Sequence, residues 1–153
     1  MIVEIPRNSN VKYEYDKDKK RMRCDRIIST SMLYPGNYGY IPNTLSGDGD
    51  PLDILLLCEY PIYPGTIVKV KIIGVLLTED EKGNDEKVIA VPSHEVDISY
   101  NEINNYTDLD KVTLKKIKHF FTHYKDNEPK KWVNVKEYKD NKTAIEIFNN
   151  SKL

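Results

Sequence analysis

Thr66 to Leu77, which contains Val68-Lys-Val-Lys-Ile-Ile-Gly-Val-Leu-Leu77, decides how the chain can fold. Its composition predicts one long strand, interrupted by Gly74. A glycine inside a strand marks a bulge or sharp bend, which small barrels use to turn a corner. Upstream, Leu52 to Leu57 reads as a buried strand. Val3-Glu4-Ile5 is a short alternating strand. Val11-Lys12-Tyr13-Glu14-Tyr15 alternates cleanly, placing Lys12 and Glu14 on one face. The polar turn Asp16 to Lys20 links it to a strand over Met22 to Ile28 that carries Arg26, a hairpin pattern. Tyr34 to Asn43, rich in Pro, Gly and Tyr, reads as a loop.

Downstream of the long strand, Glu79 to Glu86 reads as an acidic turn around Gly83. Lys87 to Val91 is a strand ended by Pro92. The period then changes: Leu109, Val112, Leu114, Ile117, Phe120, Phe121 and Tyr124 fall near helical spacing, with Thr107 or Asp108 as N-cap. Trp132 to Val135 reads as a short strand and Thr143 to Asn150 as a short helix. Strands first and helices later predict an α+β chain, predominantly β. Its expected form is a closed or nearly closed antiparallel barrel with helices packed outside. A length of 153 residues predicts a single domain over 1–153, and no repeat or linker divides it.

Composition narrows the function. Charged residues make up 31% and hydrophobic ones 39%, and the net charge of −1 gives no bulk attraction to nucleic acid or anionic membranes. Any electrostatic function therefore rests on local sorting of charge. No apolar run approaches the length of a membrane span, and the N-terminus lacks the pattern of a signal peptide. The simplest expectation is a cytoplasmic protein with Cys24 and Cys58 reduced.

The sorting is visible at Asp48-Gly-Asp50-Pro-Leu-Asp53, where three carboxylates fall within six residues. Crowded carboxylates repel unless a cation offsets them, and hard divalent ions prefer oxygen ligands. An EF-hand fails, because Asp53 stands where that loop requires glycine and an apolar strand follows instead of a helix. Asp53 enters an apolar strand and so needs a partner. Asp80, Glu81 and Asp85 form a second acidic group on the predicted turn. Lys12, Arg26, Lys87 and Lys125 lie in or beside structured segments, and Tyr34, Tyr38, Tyr40 and Tyr124 add phenolic donors. Metal ions beside such donors suit a small, highly charged phosphate.

The ordered set resembles the soluble, single-domain, Mg²⁺-dependent inorganic pyrophosphatases. Asp48 to Ile54 matches their D-x-D-P-x-D signature. Also in order are VEIP at Val3 to Pro6, KYE at Lys12 to Glu14, DR at Asp25-Arg26 and YPGNYGYIPNT at Tyr34 to Thr44. YPGT at Tyr63 to Thr66, DEKGNDEK at Asp80 to Lys87 and HFFTHYKD at His119 to Asp126 follow. The resemblance covers about residues 3 to 138, and the tail after about Lys139 carries no specific signal.

The resemblance implies a five-stranded OB-like antiparallel barrel with two flanking helices, hydrolysing pyrophosphate to two orthophosphates without a phosphoenzyme. Asp48, Asp53, Asp80 and Asp85 would hold several Mg²⁺ ions, with Mn²⁺ a possible substitute. Glu4 and Glu14 would act mostly through bound waters. Asp50 would take the proton from the attacking water. Lys12, Arg26, Tyr38, Lys87, Tyr124 and Lys125 would grip phosphate oxygens. The family further implies a homo-oligomer, a hexamer favoured, with no nucleic-acid or membrane partner. Only three residues precede Glu4, fewer than in many bacterial members, which bears on its placement. His119 and His123 share one helix face, but no Glu follows the first, so a zinc-protease motif does not apply. The competing class is an OB-like module that binds nucleic acid or a nucleotide through its tyrosines. A site lined with acids argues against it.

Overall fold

The structure is a computed structural model covering residues 1–153. Its strands are β1 (Ile2–Ile5), β2 (Val11–Asp16), β3 (Arg21–Ile27), β4 (Asn37–Tyr40), β5 (Asp53–Leu56), β6 (Val70–Asp80), β7 (Gly83–Asn84), β8 (Lys87–Pro92) and β9 (Val133–Lys139). Two α-helices follow the barrel strands, α1 (Lys111–His123) and α2 (Asn141–Ser151).

The hydrogen-bonded order is β1-β4-β5-β8-β6, with β7 and β9 also paired to β6. The ring closes where the chain leading into β6 passes β1. There Ile2 bridges Ile67, Val3 N–H donates to Thr66 O at 2.9 Å, and Val68 N–H donates to Met1 O at 2.9 Å. The hairpin of β2 and β3 is a separate two-stranded sheet. Tyr15 N–H ties it to β1 by donating to Glu4 Oε2 at 2.8 Å.

Gly74 behaves as expected: the β6–β8 register shifts between Ile72 and Gly74. A Cβ there would lie 3.0 Å from both Lys139 O and the Tyr106 side chain, so a larger residue would press on both.

Four expectations are corrected. The barrel is not wholly antiparallel, because β5 and β8 run parallel. After β6 the chain turns back once, β7 and β8 both running antiparallel to β6, so β8 slots between β5 and β6 in the same direction as β5. Tyr34 to Asn43 is not all loop, since β4 lies within it and pairs with both β1 and β5. Its turn-forming composition is overridden by two ladders of backbone hydrogen bonds. The acidic turn is shorter than predicted. Glu79 and Asp80 remain in β6 because Asn134 and Val133 of β9 pair with them. The N-cap of α1 is Asp110, whose side chain accepts from Val112 N–H. Asp108 instead closes a capping box with Asn105 on the preceding 3₁₀ turn.

The main core lies between the sheet and α1, where Leu55, Ile73, Ile89, Ile117 and Phe121 are fully buried. Each such side chain contributes about 1.5–3 kcal/mol of burial free energy. The spacing of Ile117, Phe120 and Phe121 turns one face of α1 onto that core. On the other side, Ile147 and Phe148 of α2 pack against Leu52, Ile54 and Val88. Helix α2 also reaches the chain ahead of β5: Leu45 N–H donates to Ser151 O at 2.8 Å.

Candidate active site

The segment before β5 is a turn closed on itself. Asp48 Oδ1 accepts from Asp50 N–H at 3.0 Å, and Asp50 O accepts from Ser46 N–H at 2.8 Å. Gly49 between them has φ 88°, a left-handed conformation that glycine adopts without strain. Leu52 N–H donates to Thr44 Oγ1 at 2.9 Å, which ends the turn and starts the strand. Asp48 and Asp50 thus sit on the turn, and Asp53 opens β5. Asp50 lies exposed, and its carboxylate has no hydrogen-bond or ion-pair partner in the protein.

Lys87 opens β8, and the parallel register sets it directly beside Asp53. Its Nζ donates to Asp53 Oδ2 at 2.8 Å, Asp85 Oδ2 at 2.8 Å and Tyr38 Oη at 2.6 Å. With 4% of its side chain exposed, this ammonium is buried among its partners. Burial alone would lower its pKa, but the Asp53 and Asp85 carboxylates overcome that and hold it well above the usual lysine range. Burial raises the Asp85 carboxyl, with Lys87 opposing. Asp80, also buried, is pushed up by burial, yet Lys82 N–H at 2.9 Å and Lys125 Nζ at 3.3 Å outweigh this and hold it below the carboxylate range.

The cations come from β2, β3 and the segment after α1. Lys12 and Arg26 are cross-strand partners, so two positive charges face the same space. Burial lowers the Lys12 pKa and Arg26 lowers it further. Asp25 answers both, at 3.7 Å from Lys12 and 2.8 Å from Arg26. Tyr34 packs against Tyr38 and Tyr124, and all three tyrosines contact Phe120 or Phe121, mostly in tilted or edge-on arrangements. Burial raises all three phenols, so they remain protonated donors at neutral pH.

All these groups line one basin of about 510 Å³. Every site residue expected from the sequence lines it: Glu4, Lys12, Glu14, Arg26, Tyr38, Asp48, Asp50, Asp53, Asp80, Asp85, Lys87, Tyr124 and Lys125. Nine carboxylates and eight cations share its wall, so the whole is nearly neutral and its effect comes from sorting. A second cavity, about 530 Å³, opens between residues 32–35 and α1. It has no carboxylate in its lining and lies apart from this chemistry.

The donor set fits a hard divalent ion. Only oxygen ligands face the basin, with no Cys or His among its lining residues. No three acidic, His or Cys side chains form a ready-made cluster around one ion position. The reason lies in the pairing just described. Lys87 stands between Asp53 and Asp85 and Lys125 beside Asp80, so ammonium groups offset the crowded carboxylates.

Sequence reasoning assigned no role to Arg23, Lys82 or Lys131, which also line the basin, nor to Glu128, which pairs with Arg26. Arg23 lies two pairs along the hairpin from Lys12, opposite Glu14 and bonded to it at 3.1 Å, and the hairpin register points to it. Lys131 and Glu128 lie in irregular chain after α1, where no periodicity indicates a direction.

Known proteins share this sequence pattern and fold. The sequence model of one protein family, described as inorganic pyrophosphatase, matches residues 1–152. The match extends past Lys139, so the tail does belong to the family pattern. An inorganic pyrophosphatase of Campylobacter jejuni is 53% identical over 147 residues, 96% of this chain and 86% of the relative. A solved inorganic pyrophosphatase of Helicobacter pylori superposes with a TM-score of 0.96 at 45% identity, covering 98% of this chain and 88% of the other. The Thermus thermophilus inorganic pyrophosphatase gives 0.95 at 44% identity, covering 99% and 87%.

Proposed function

The chain belongs to the inorganic pyrophosphatase family, and from that membership we propose a division of labour within the basin. The enzyme hydrolyses inorganic pyrophosphate to two orthophosphates. Enzymes of this kind depend on metal ions, and in this chain the metal is Mg²⁺, with Mn²⁺ as a substitute. Asp48, Asp53, Asp80 and Asp85 would hold the ions, and Glu4 and Glu14 would support them through water. When bound there, hard divalent ions neutralise phosphate charge and lower the pKa of a water nucleophile.

The protein's own groups do the rest. Asp50 takes a proton from the water as its oxygen attacks one phosphorus. The bridging P–O bond breaks and its electron pair leaves with the second phosphate. No phosphoenzyme forms. Lys12, Arg26, Tyr38, Lys87, Tyr124 and Lys125 donate to the phosphate oxygens and offset the charge that builds on the leaving group. Lys87 Nζ donates to Asp53 and Asp85, and with those carboxylates occupied by an ion it would be free to donate to substrate.

One observation carries this reading: the unpartnered Asp50 carboxylate lies between paired Asp48 and Asp53 on a turn facing the cations. The test is phosphate release from pyrophosphate with Mg²⁺, with and without a chelator. We expect release that the chelator abolishes; no release with Mg²⁺ present would sink the assignment. Nucleic-acid binding at the basin has less support, since its tyrosines Tyr34 and Tyr38 are 1% and 8% exposed and offer no stacking platform there. The chain functions as one cytoplasmic domain, and no helix is long and apolar enough to cross a membrane. It assembles into a homohexamer, for which Val112 and the His119–His123 pair supply an exposed face of α1.

A further inference from the structure

Arg26 is held from two sides. Its Nε donates to Asp25 Oδ2 at 2.8 Å, and its Nη1 donates to Glu128 Oε1 at 2.5 Å. Asp25 is the preceding residue on β3, whereas Glu128 is 102 positions further along the chain. The two acceptors engage neighbouring nitrogens of the guanidinium plane, and Nη2 has no protein partner. Arg26 lines the basin and Glu128 does not. Glu128 therefore stands behind the arginine, and any effect it has on substrate passes through Arg26.

The Glu128 backbone is fixed independently of this contact. Glu128 N–H donates to Lys125 O at 2.9 Å, and the neighbouring Asn127 Nδ2 donates to Ser29 O at 2.8 Å. One turn thus carries Lys125, which faces Asp80, and Glu128, which faces Arg26. An unrestrained arginine loses rotamer freedom when it grips a phosphate. One already held at two nitrogens has lost it beforehand, and its planar fork then meets the anion in a set orientation.

We propose that Glu128 is a positioning residue for pyrophosphate: it holds Arg26 Nη1 so that the Nη2 edge faces the phosphate. The proposal rests on the reading that Arg26 binds substrate. The opposite possibility is that Glu128 competes with phosphate for Arg26, and the two predict KM changes of opposite sign.

The experiment measures KM and kcat for pyrophosphate at saturating Mg²⁺. Glu128→Ala should raise KM about five- to tenfold, the size expected for losing one charge-assisted contact, with kcat within about twofold. Glu128→Gln keeps an oxygen acceptor for Nη1 and should recover KM to within about threefold of the parent. Asn127→Ala loosens the same turn without touching Arg26 and should leave KM unchanged. In an Arg26→Ala background, Glu128→Ala should add no further KM change. Should Glu128→Ala fail to fold, Glu128→Asp, which withdraws the carboxylate by one methylene, reads the same KM shift at smaller size. KM unmoved by Arg26→Ala overturns the premise and the proposal with it. KM raised by Arg26→Ala but unchanged or lowered by the Glu128 variants overturns the proposal alone. A KM rise of the same size in Asn127→Ala also overturns it, because general loosening would then be the cause.

Discussion

Asp50 and Glu4 line the same basin but in opposite circumstances. Asp50 is exposed and unpaired, free to accept a proton. Asparagine has nearly its shape and cannot act as the base. Asp50→Asn should lower kcat by about 10²–10⁴-fold, the usual worth of general-base catalysis, with KM and Mg²⁺ affinity within a fewfold. Near-parental turnover, measured by steady-state phosphate release, would remove Asp50 from the proton step. Glu4 is pushed up to about 7 by burial, with Asp53 and Glu14 adding to the rise and Tyr15 N–H opposing it. Its ordinary value is 4.5, so the folded chain binds this proton more tightly than the unfolded one. Stability from this group is therefore full below pH 4.5 and is lost as pH rises through 7. Glu4→Gln stays neutral and still accepts from Tyr15. In metal-free protein at pH 8 it should be more stable than the parent by about 2–3 kcal/mol, with the difference vanishing near pH 4. Denaturant melts at both pH values decide it, and equal stability at pH 8 would mean that Glu4 is not strained by burial.

At the scale of elements, β1 and β4 meet so closely that a Cβ on Gly39 would lie 1.9 Å from Ile2 O. Gly39→Ala must push the two strands apart, which moves Glu4 on one and Tyr38 on the other away from the basin. We expect a loss of at least about 3 kcal/mol, beyond the usual overpacking penalty because backbone has to shift, together with reduced kcat in whatever protein folds. Circular dichroism melts and activity per folded molecule measure the two effects. A mild loss would mean that the ladder between β1 and β4 yields easily. The same strand marks the boundary of what sequence reveals. The long strand with its bend at Gly74 and both helices were legible, since their periodicities are intrinsic to the chain. Every expected basin residue was also legible, through ordered motifs and hard-ion chemistry. Strand β4 was not, because Pro, Gly and Tyr announce a turn and only pairing with β1 and β5 makes them a strand. Nor was the parallel pairing that sets Lys87 beside Asp53, for direction between strands distant in sequence leaves no local trace. Glu128 escaped for the same reason: its partner lies 102 residues away.

At the scale of the whole molecule, the basin exists only when the chain is fully folded. Its walls come from β1, the β2–β3 hairpin, β4, the turn before β5, the β6–β7 tip, β8 and the chain after α1, spanning Glu4 to Lys131. No contiguous piece carries an ion site, so the unfolded chain has only scattered carboxylates to offer. Binding that favours the folded state this strongly adds RT ln(1 + [ion]/Kd) to global stability, about 2.7 kcal/mol for one site at a hundredfold excess over Kd. For a chain of 153 residues that corresponds to roughly 5–10 °C in Tm. Saturating Mg²⁺ should therefore raise Tm by about that much over chelator-treated protein, in a single transition, because the ions bind no separable part. Asp53 opens the strand that joins the turn to the barrel, and Asp53→Asn should remove most of this increment. The partner left behind matters too: without Asp53, Lys87 retains Asp85 and Tyr38, so the metal-free variant should stay folded. Calorimetric scans of parent and variant, each with Mg²⁺ and with chelator, separate the terms. An undiminished increment in Asp53→Asn would place the ions elsewhere in the basin. A two-step transition in the parent would mean that the hairpin carrying Lys12 and Arg26 melts apart from the barrel, leaving substrate binding less stable than the fold that supports it.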